Sequence, residues 1–189
     1  DLVVIVADAT NLKRNLLLYT QIADLGLPVM LALNMMDLAA KSNIEIDIDG
    51  LAKLLNIQVI PLAARKVQGI EDLKKAIQFA TKIPLQQPTI DVEAVAPDLI
   101  KDISESLNIK NPYIALQIAH QYKNLNYLTK EQIEEVKALE IKHDFHSQKA
   151  QAFETIARYN HINEILLDTV KYTSVALEEN ISNKIDHIL

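Results

Sequence analysis

Pro28-Val29-Met30-Leu31-Ala32-Leu33-Asn34-Met35-Met36-Asp37 runs from a turn through an apolar segment to a tetrapeptide with polar ends, and this points to an α/β chain. Residues 28–33 form a short, near-continuous apolar run, the pattern of a strand buried on both faces in a parallel sheet. The run stops on Asn-x-x-Asp, at the carboxyl end of the strand, where open α/β sheets bind ligands. A second apolar run, residues 57–62, stops in the same way on Ala63-Ala64-Arg65-Lys66.

Nearer the N-terminus, Leu2-Val3-Val4-Ile5-Val6-Ala7 reads as a further buried strand. Asn11 can cap a helix reaching Asp24, with Leu12, Leu16, Tyr19 and Ala23 as its inner stripe and Gly26-Leu27-Pro28 as its stop. Helices are also expected over 49–56 and 70–81. Strand and helix therefore alternate through residues 1–82, which predicts a parallel sheet of three strands with right-handed crossovers.

Residues 83–97 carry Pro84, Pro88 and Pro97 with little periodicity and read as a linker. Residues 98–189 read as helical. Asn111-Pro112 is an N-cap followed by proline at the first helical position, with Ile114, Ile118, Tyr122 and Leu125 at helical spacing behind it. Thr129 and Gln132 make a capping box. A long helix is expected from Ser147, with Phe153, Ile156, Ile162, Leu166 and Val170 facing inward, followed by a C-terminal helix marked by Leu177, Ile181, Ile185 and Ile188.

Composition limits the function. The chain has 189 residues, 49% apolar, with a formal net charge of −6, and no Lys/Arg run long enough to track a phosphate backbone, so nucleic acid is not an expected partner. There is no cysteine, which removes disulfides and thiolate metal sites. No apolar stretch approaches a membrane span and no signal peptide opens the chain, so the chain itself reads as soluble. A buried strand at one end and an uncapped helix at the other make both ends read as cut, and the first strand, lacking a neighbour on one edge, is expected to recruit another chain or a second copy, or else to leave the isolated piece poorly soluble.

The two strand-end motifs suit guanine. Its N1–H and 2-amino group lie on one edge, where a carboxylate such as Asp37 accepts both as charge-assisted hydrogen bonds, whereas adenine presents an acceptor there. In this reading Asn34 braces the loop and reaches the far edge of the base, Met35 lies on its face, and the Ala64 N–H donates to O6. A polar site of this kind discriminates because the wrong base leaves buried groups unpaired, at roughly 1–3 kcal/mol per group. Position matters more than the string: Asn183-Lys184-Ile185-Asp186 matches the common guanine motif more literally but falls in an amphipathic helix, and is read as a solvated face.

Asp8-Ala9-Thr10-Asn11-Leu12-Lys13-Arg14-Asn15-Leu16, then Ala32-Leu33-Asn34-Met35-Met36-Asp37, then Ala64-Arg65-Lys66 before Gly69-Ile70 resemble successive blocks of the cytosolic GTPase region of FeoB-type ferrous iron transporters. Asn111-Pro112-Tyr113, Ala157-Arg158-Tyr159 and residues 182–189 resemble that family's helical domain and the approach to its first membrane helix. The resemblance implies the C-terminal half of a P-loop-type G domain followed by a helical domain that restrains nucleotide release. It implies GTP or GDP as ligand, read by Asn34, Met35 and Asp37 and by the loop of Ala63, Ala64 and Arg65. It also implies partners in an N-terminal G-domain half and a membrane portion passing iron(II), at the cytoplasmic face of the cell membrane.

Departures accompany the matches. The family usually has Ser at the position of Ala63, whose hydroxyl would steady the loop. The phosphate loop G-x-x-x-x-G-K-[ST], the switch threonine and D-x-x-G are absent from the sequence. The three glycines, Gly26, Gly50 and Gly69, are not grouped, so no loop of theirs can cradle phosphates. Mg²⁺ is expected in the complete protein, with its ligands outside this chain, and GTP hydrolysis by this piece alone is not expected.

His143-Asp144-Phe145-His146 has histidines at i, i+3, but without a third ligand it reads as a solvated turn. His120, His161 and His187 read as helix-surface residues. Two other functions fit less well: a helical protein-interaction module acting independently of nucleotide, and a fragment of a soluble ribosome-associated GTPase, which would usually add a basic domain.

Overall fold

The structure, a computed structural model, describes residues 2–80 and 88–172. Its strands are β1 (Val3–Asp8), β2 (Val29–Asn34), β3 (Ile44–Ile46), β4 (Gln58–Pro61) and β5 (Val170–Tyr172). Its helices are α1 (Leu12–Asp24), α2 (Met36–Lys41), α3 (Ile48–Leu55), α4 (Ile70–Gln78), α5 (Pro97–Ser106), α6 (Pro112–Gln121), α7 (Lys130–Lys142) and α8 (Ser147–Thr169). The expected order, α/β followed by all-α, is the order observed. β1, β2 and β4 form the parallel three-stranded sheet, in the order β1-β2-β4.

The register brings the motifs together. Asp8 pairs with Asn34 across β1 and β2, and Leu33 pairs with Pro61 across β2 and β4. The two strand ends are therefore neighbours, and the chain continues that contact beyond the strands: Leu62 N–H donates to the Leu33 carbonyl at 2.7 Å and Met36 N–H to the Leu62 carbonyl at 3.0 Å. Among the described residues β1 pairs only with β2, and Val6 on it is 64% exposed.

The helix starts follow local chemistry, with some differences from expectation. Asn11 occupies the N-cap position of α1 but makes no side-chain cap bond. Asp8 instead caps the preceding 3₁₀ turn through Thr10 N–H, and the Asn11 carbonyl accepts from the Asn15 side chain. Helix α3 begins one residue earlier than expected because Asp47 caps it through Gly50 N–H, and it ends on Asn56 in the left-handed region. The expected stripe of α1 is buried, and its Tyr19 hydroxyl donates to the Leu55 carbonyl at 2.7 Å, tying α1 to α3. Asn111 caps α6 through Tyr113 and Ile114 N–H, and the Thr129–Gln132 capping box opens α7.

Two apolar clusters form. One gathers Ile5, Leu16, Leu31, Leu51, Ile162 and Ile165 from β1, α1, β2, α3 and α8. The other gathers Ile103, Tyr113, Leu116, Ile118 and Val136 from α5, α6 and α7. Helix α8, late in the chain, thus packs on the parallel-sheet half.

Its inward face differs from the expected one. Ile162 is buried, Leu166 half-buried and Val170 buried in β5, but Phe153 is 52% and Ile156 61% exposed. The face that turns in over the first turns carries Ala150, Glu154 and Arg158. Burial of those charges is possible because they are paired. Arg158 Nη1 lies 2.7 Å from Asp24 Oδ2 and Nε 2.8 Å from Glu154 Oε1, and Nη1 also donates to Thr89 Oγ1 at 3.2 Å. Asp24 Oδ1 in turn accepts from Thr89 N–H at 2.6 Å, and the guanidinium stacks 4.8 Å over the Tyr113 ring, whose phenol is pushed up to about 12, chiefly by burial. The stretch expected as a linker is therefore anchored at Thr89 to both α1 and α8.

A second sheet was not expected: β3 pairs antiparallel with β5, Ile44 opposite Tyr172 and Ile46 opposite Val170, and Asp47 N–H extends the ladder to the Thr169 carbonyl at 2.8 Å. Three residues with one charge in the middle carry too little periodicity to be read as a strand, and β5 follows a long helix without a break.

The His143–His146 stretch is the turn between α7 and α8 rather than a helical pair, and His143 Nε2 is bound to Asp102 Oδ2 at 2.8 Å. His120 is half-buried rather than free on the helix surface: Nδ1 lies 2.8 Å from Ser147 Oγ, the ring packs on Phe145, and burial holds its imidazole below the usual range. The C-terminal helix, the Asn183–Asp186 string, His187 and Pro84 lie outside the described residues.

Candidate functional site

The site is built where β2 and β4 end. Asn34 is the last residue of β2, Met35 turns the chain through the left-handed region at φ 63° and Asp37 lies in the first turn of α2. A non-glycine residue at positive φ costs roughly 1–3 kcal/mol and persists only where the surroundings hold it. Here the holding contacts are the Leu38 and Ala39 N–H groups, both donating to the Met35 carbonyl, and Met36 N–H on Leu62.

On the other strand, Ala63 is buried and exchanges backbone hydrogen bonds with Gln68 in both directions, at 3.1 and 3.3 Å. Between them Ala64–Lys66 makes a 3₁₀ turn, with Arg65 exposed and Val67 in the left-handed region at φ 59°. Gly69 follows at φ 78°, where a Cβ would collide with the Pro61 carbonyl oxygen and lie 2.9 Å from Leu62 Cδ2. That position admits only glycine without moving the loop.

Two links join the loops. Asn34 Oδ1 accepts from Ala64 N–H at 3.1 Å, so Asn34 does brace the second loop. The same bond engages the N–H expected to meet guanine O6. Asp37 Oδ2 accepts from Lys66 Nζ at 3.0 Å, and that hydrogen bond is the main cause of a carboxyl held below its usual range. Lys66, left out of the expected base contacts, is thus brought to the carboxylate by the turn. A shallow depression beside them is lined by Met36, Asp37, Pro61, Leu62, Ala63 and Gln68. All six expected residues, Asn34, Met35, Asp37, Ala63, Ala64 and Arg65, lie on these two adjoining loops.

Val67 offers a direct check on the turn. It is β-branched, 75% exposed and left-handed. Val67→Gly is expected to raise stability in urea unfolding by about 0.5–1 kcal/mol, relief of steric strain exceeding the added chain entropy of glycine. A loss of stability would show that the valine is not strained.

Residues 1–77 match the family described as Ferrous iron transport protein B. Over 77 residues, 41% of this chain, the sequence is 52% identical to the Fe(2+) transporter FeoB of Escherichia coli (strain K12), and 48% identical to that of Salmonella typhimurium. The structure of the cytosolic domain of L. pneumophila FeoB superposes with a TM-score of 0.72 at 30% identity, covering 90% of this chain and 68% of that one. The chain belongs to the FeoB family. Within FeoB it corresponds to the cytosolic region, and the likeness continues past residue 77 into the helical half. A GDP-bound mutant of the S. thermophilus FeoB G-domain matches with a TM-score of 0.65 at 27% identity, covering 87% of this chain and 67% of that one. The matched segment spans 10% of the length of the curated FeoB relatives. Among the described residues no helix is long and apolar enough to cross a membrane.

Proposed function

We propose that this chain supplies the guanine-reading half of the nucleotide site in the cytosolic region of a ferrous iron transporter. The observation that carries the reading is the coupling of the two strand-end loops, Asn34 to Ala64 and Asp37 to Lys66, beside one depression. An ionised carboxylate at the carboxyl edge of a parallel sheet accepts two N–H groups at once, which guanine offers and adenine does not. GDP-bound relatives support the ligand.

In this function Asp37 accepts from N1–H and the 2-amino group, Asn34 holds the two loops in register, and Met35 covers one face of the base. Ala64 N–H either stays on Asn34 or turns to O6 when the base enters. A bound nucleotide supplies the phosphates and the Mg²⁺ that they hold. Among the described residues no group of three His, Cys, Asp or Glu could hold a metal ion, and no residue here is assigned to phosphoryl transfer.

Residues 1–82 act as the C-terminal half of a G domain and 98–189 as a helical domain restraining nucleotide release, joined by 83–97. The exposed edge of β1 is the docking site for further strands of the G domain or for a second copy. The parent protein gates iron(II) passage at the cytoplasmic face of the membrane. The reading as an independent helical interaction module is weakened by α8, which packs on the sheet half rather than apart from it.

Titration of the ¹⁵N-labelled chain with GDP and with ADP tests the base site. GDP is expected to move the amide signals of Asn34, Asp37 and Ala64 saturably, with ADP weaker by roughly tenfold or more. Equal responses to the two nucleotides would remove the guanine assignment.

A further inference from the structure

Lys66 stands outside the base-contacting residues, yet the fold devotes a closed turn to aiming it. Ala63 and Gln68 pair in both directions, Lys66 N–H donates to the Ala63 carbonyl at 2.8 Å, and Val67 N–H donates to the Ala64 carbonyl at 3.0 Å. The turn ends on a β-branched residue in the left-handed region, a conformation that surroundings must enforce. Its product is an ammonium 3.0 Å from Asp37 Oδ2, on a carboxylate whose side chain is 22% exposed.

An ion pair with its lysine half-exposed to solvent adds little to stability, so its value lies in what it does to Asp37. A carboxylate on a helix's first turn rotates about its terminal torsion unless something grips it. Each carboxylate oxygen has two acceptor sites, so Oδ2 can keep Lys66 and still accept one N–H of a purine while Oδ1 accepts the other.

We propose that Lys66 is a positioning and selectivity residue of the base site, holding the Asp37 carboxylate in the one orientation in which both oxygens meet a purine edge carrying two N–H donors. The inference rests on the base-site reading above. A protonated Asp37 presents one donor and one acceptor, the pattern that suits a purine with a carbonyl at that edge, such as xanthine, whereas a rotated carboxylate keeps two acceptors but aims only one of them at the base. Lys66 therefore preserves guanine preference as the pH falls.

The test uses the whole chain with GMP and XMP as probes, followed through the amide signals of Asn34, Asp37 and Ala64 and the ¹³C carboxyl signal of Asp37. Lys66→Met is expected to weaken GMP by roughly three- to tenfold at neutral pH. It should also move the acid limb of GMP binding and the Asp37 carboxyl titration to higher pH, and raise the XMP-to-GMP ratio on the acid side. Lys66→Arg is expected to restore most of the affinity and the acid limb. A lysine that merely stabilised the turn would lower the melting temperature without moving either titration. If Lys66→Met binds GMP as the unaltered chain does, with the acid limb in place, the inference fails while the base site stands. If the unaltered chain shows no saturable GMP response at these amides, the base-site reading falls and the inference with it.

Discussion

Replacing Arg158 by alanine is expected to destabilise the chain by about 3–5 kcal/mol, the cost of leaving buried carboxylates without their counter-charge. Arg158 is fully buried and holds Asp24 from α1 and Glu154 from α8, while Thr89 binds both Arg158 and Asp24. Removing the guanidinium leaves two carboxylates in an apolar setting beneath Tyr113. Urea unfolding measures the loss directly. A matched variant separates charge from packing: Arg158→Met combined with Asp24→Asn and Glu154→Gln removes every charge and keeps most of the volume. It should recover much of the lost stability, because a neutral cluster of similar shape pays no ion desolvation. If alanine at position 158 costs less than about 1 kcal/mol, the cluster is not the pin between α1 and α8 that its geometry indicates.

Asp37→Asn is expected to exchange guanine for xanthine preference. The substituted amide keeps one acceptor for N1–H and places a donor where the 2-amino group of guanine also donates, so that pair clashes, whereas the 2-carbonyl of xanthine accepts it. On the order of a hundredfold change in the ratio of GDP to XDP affinity is expected, since a site built for two donors rejects a ligand lacking one. Competition binding of the two diphosphates to the variant and the unaltered chain reads the ratio. The variant also loses the charge that Lys66 grips, so its own Lys66→Met derivative should behave almost identically to it. An unaltered ratio would place Asp37 outside the base site.

The parallel sheet, its helices and both strand-end loops were legible because each rests on a local rule. Residues 28–33 and 57–62 are apolar runs of strand length, and Gly26 and Gly69 mark backbone that turns through positive φ. Asn111 and Thr129 cap helices with their own side chains. What misled was α8. Phe153 and Ile156 fit an apolar stripe at helical spacing, while Glu154 and Arg158 fit a solvated face, and the observed burial is the reverse. Hydrophobic periodicity scores residues singly, whereas an ion pair becomes buriable only when its partners, Asp24 and Thr89, arrive from far along the chain. The β3–β5 ladder escaped for the same reason, since each strand has three residues and exists through the other.

Lys66 shows the division most plainly. Its place after a strand, within a short loop ahead of Gly69, was readable in the residues themselves, as was the acidity of Asp37 one strand earlier. That the two should meet at 3.0 Å depended on the register of β2 with β4 and on the left-handed turn at Val67. The order of strands and helices, the family resemblance and the residue types that suit guanine follow from the residues alone, because propensity, capping and turn chemistry act over a few residues. Which charges pair, which face of α8 is buried and how the two loops are braced emerge from the folded arrangement. Those outcomes are set by distances between segments remote in the chain, on which electrostatic and packing energies depend.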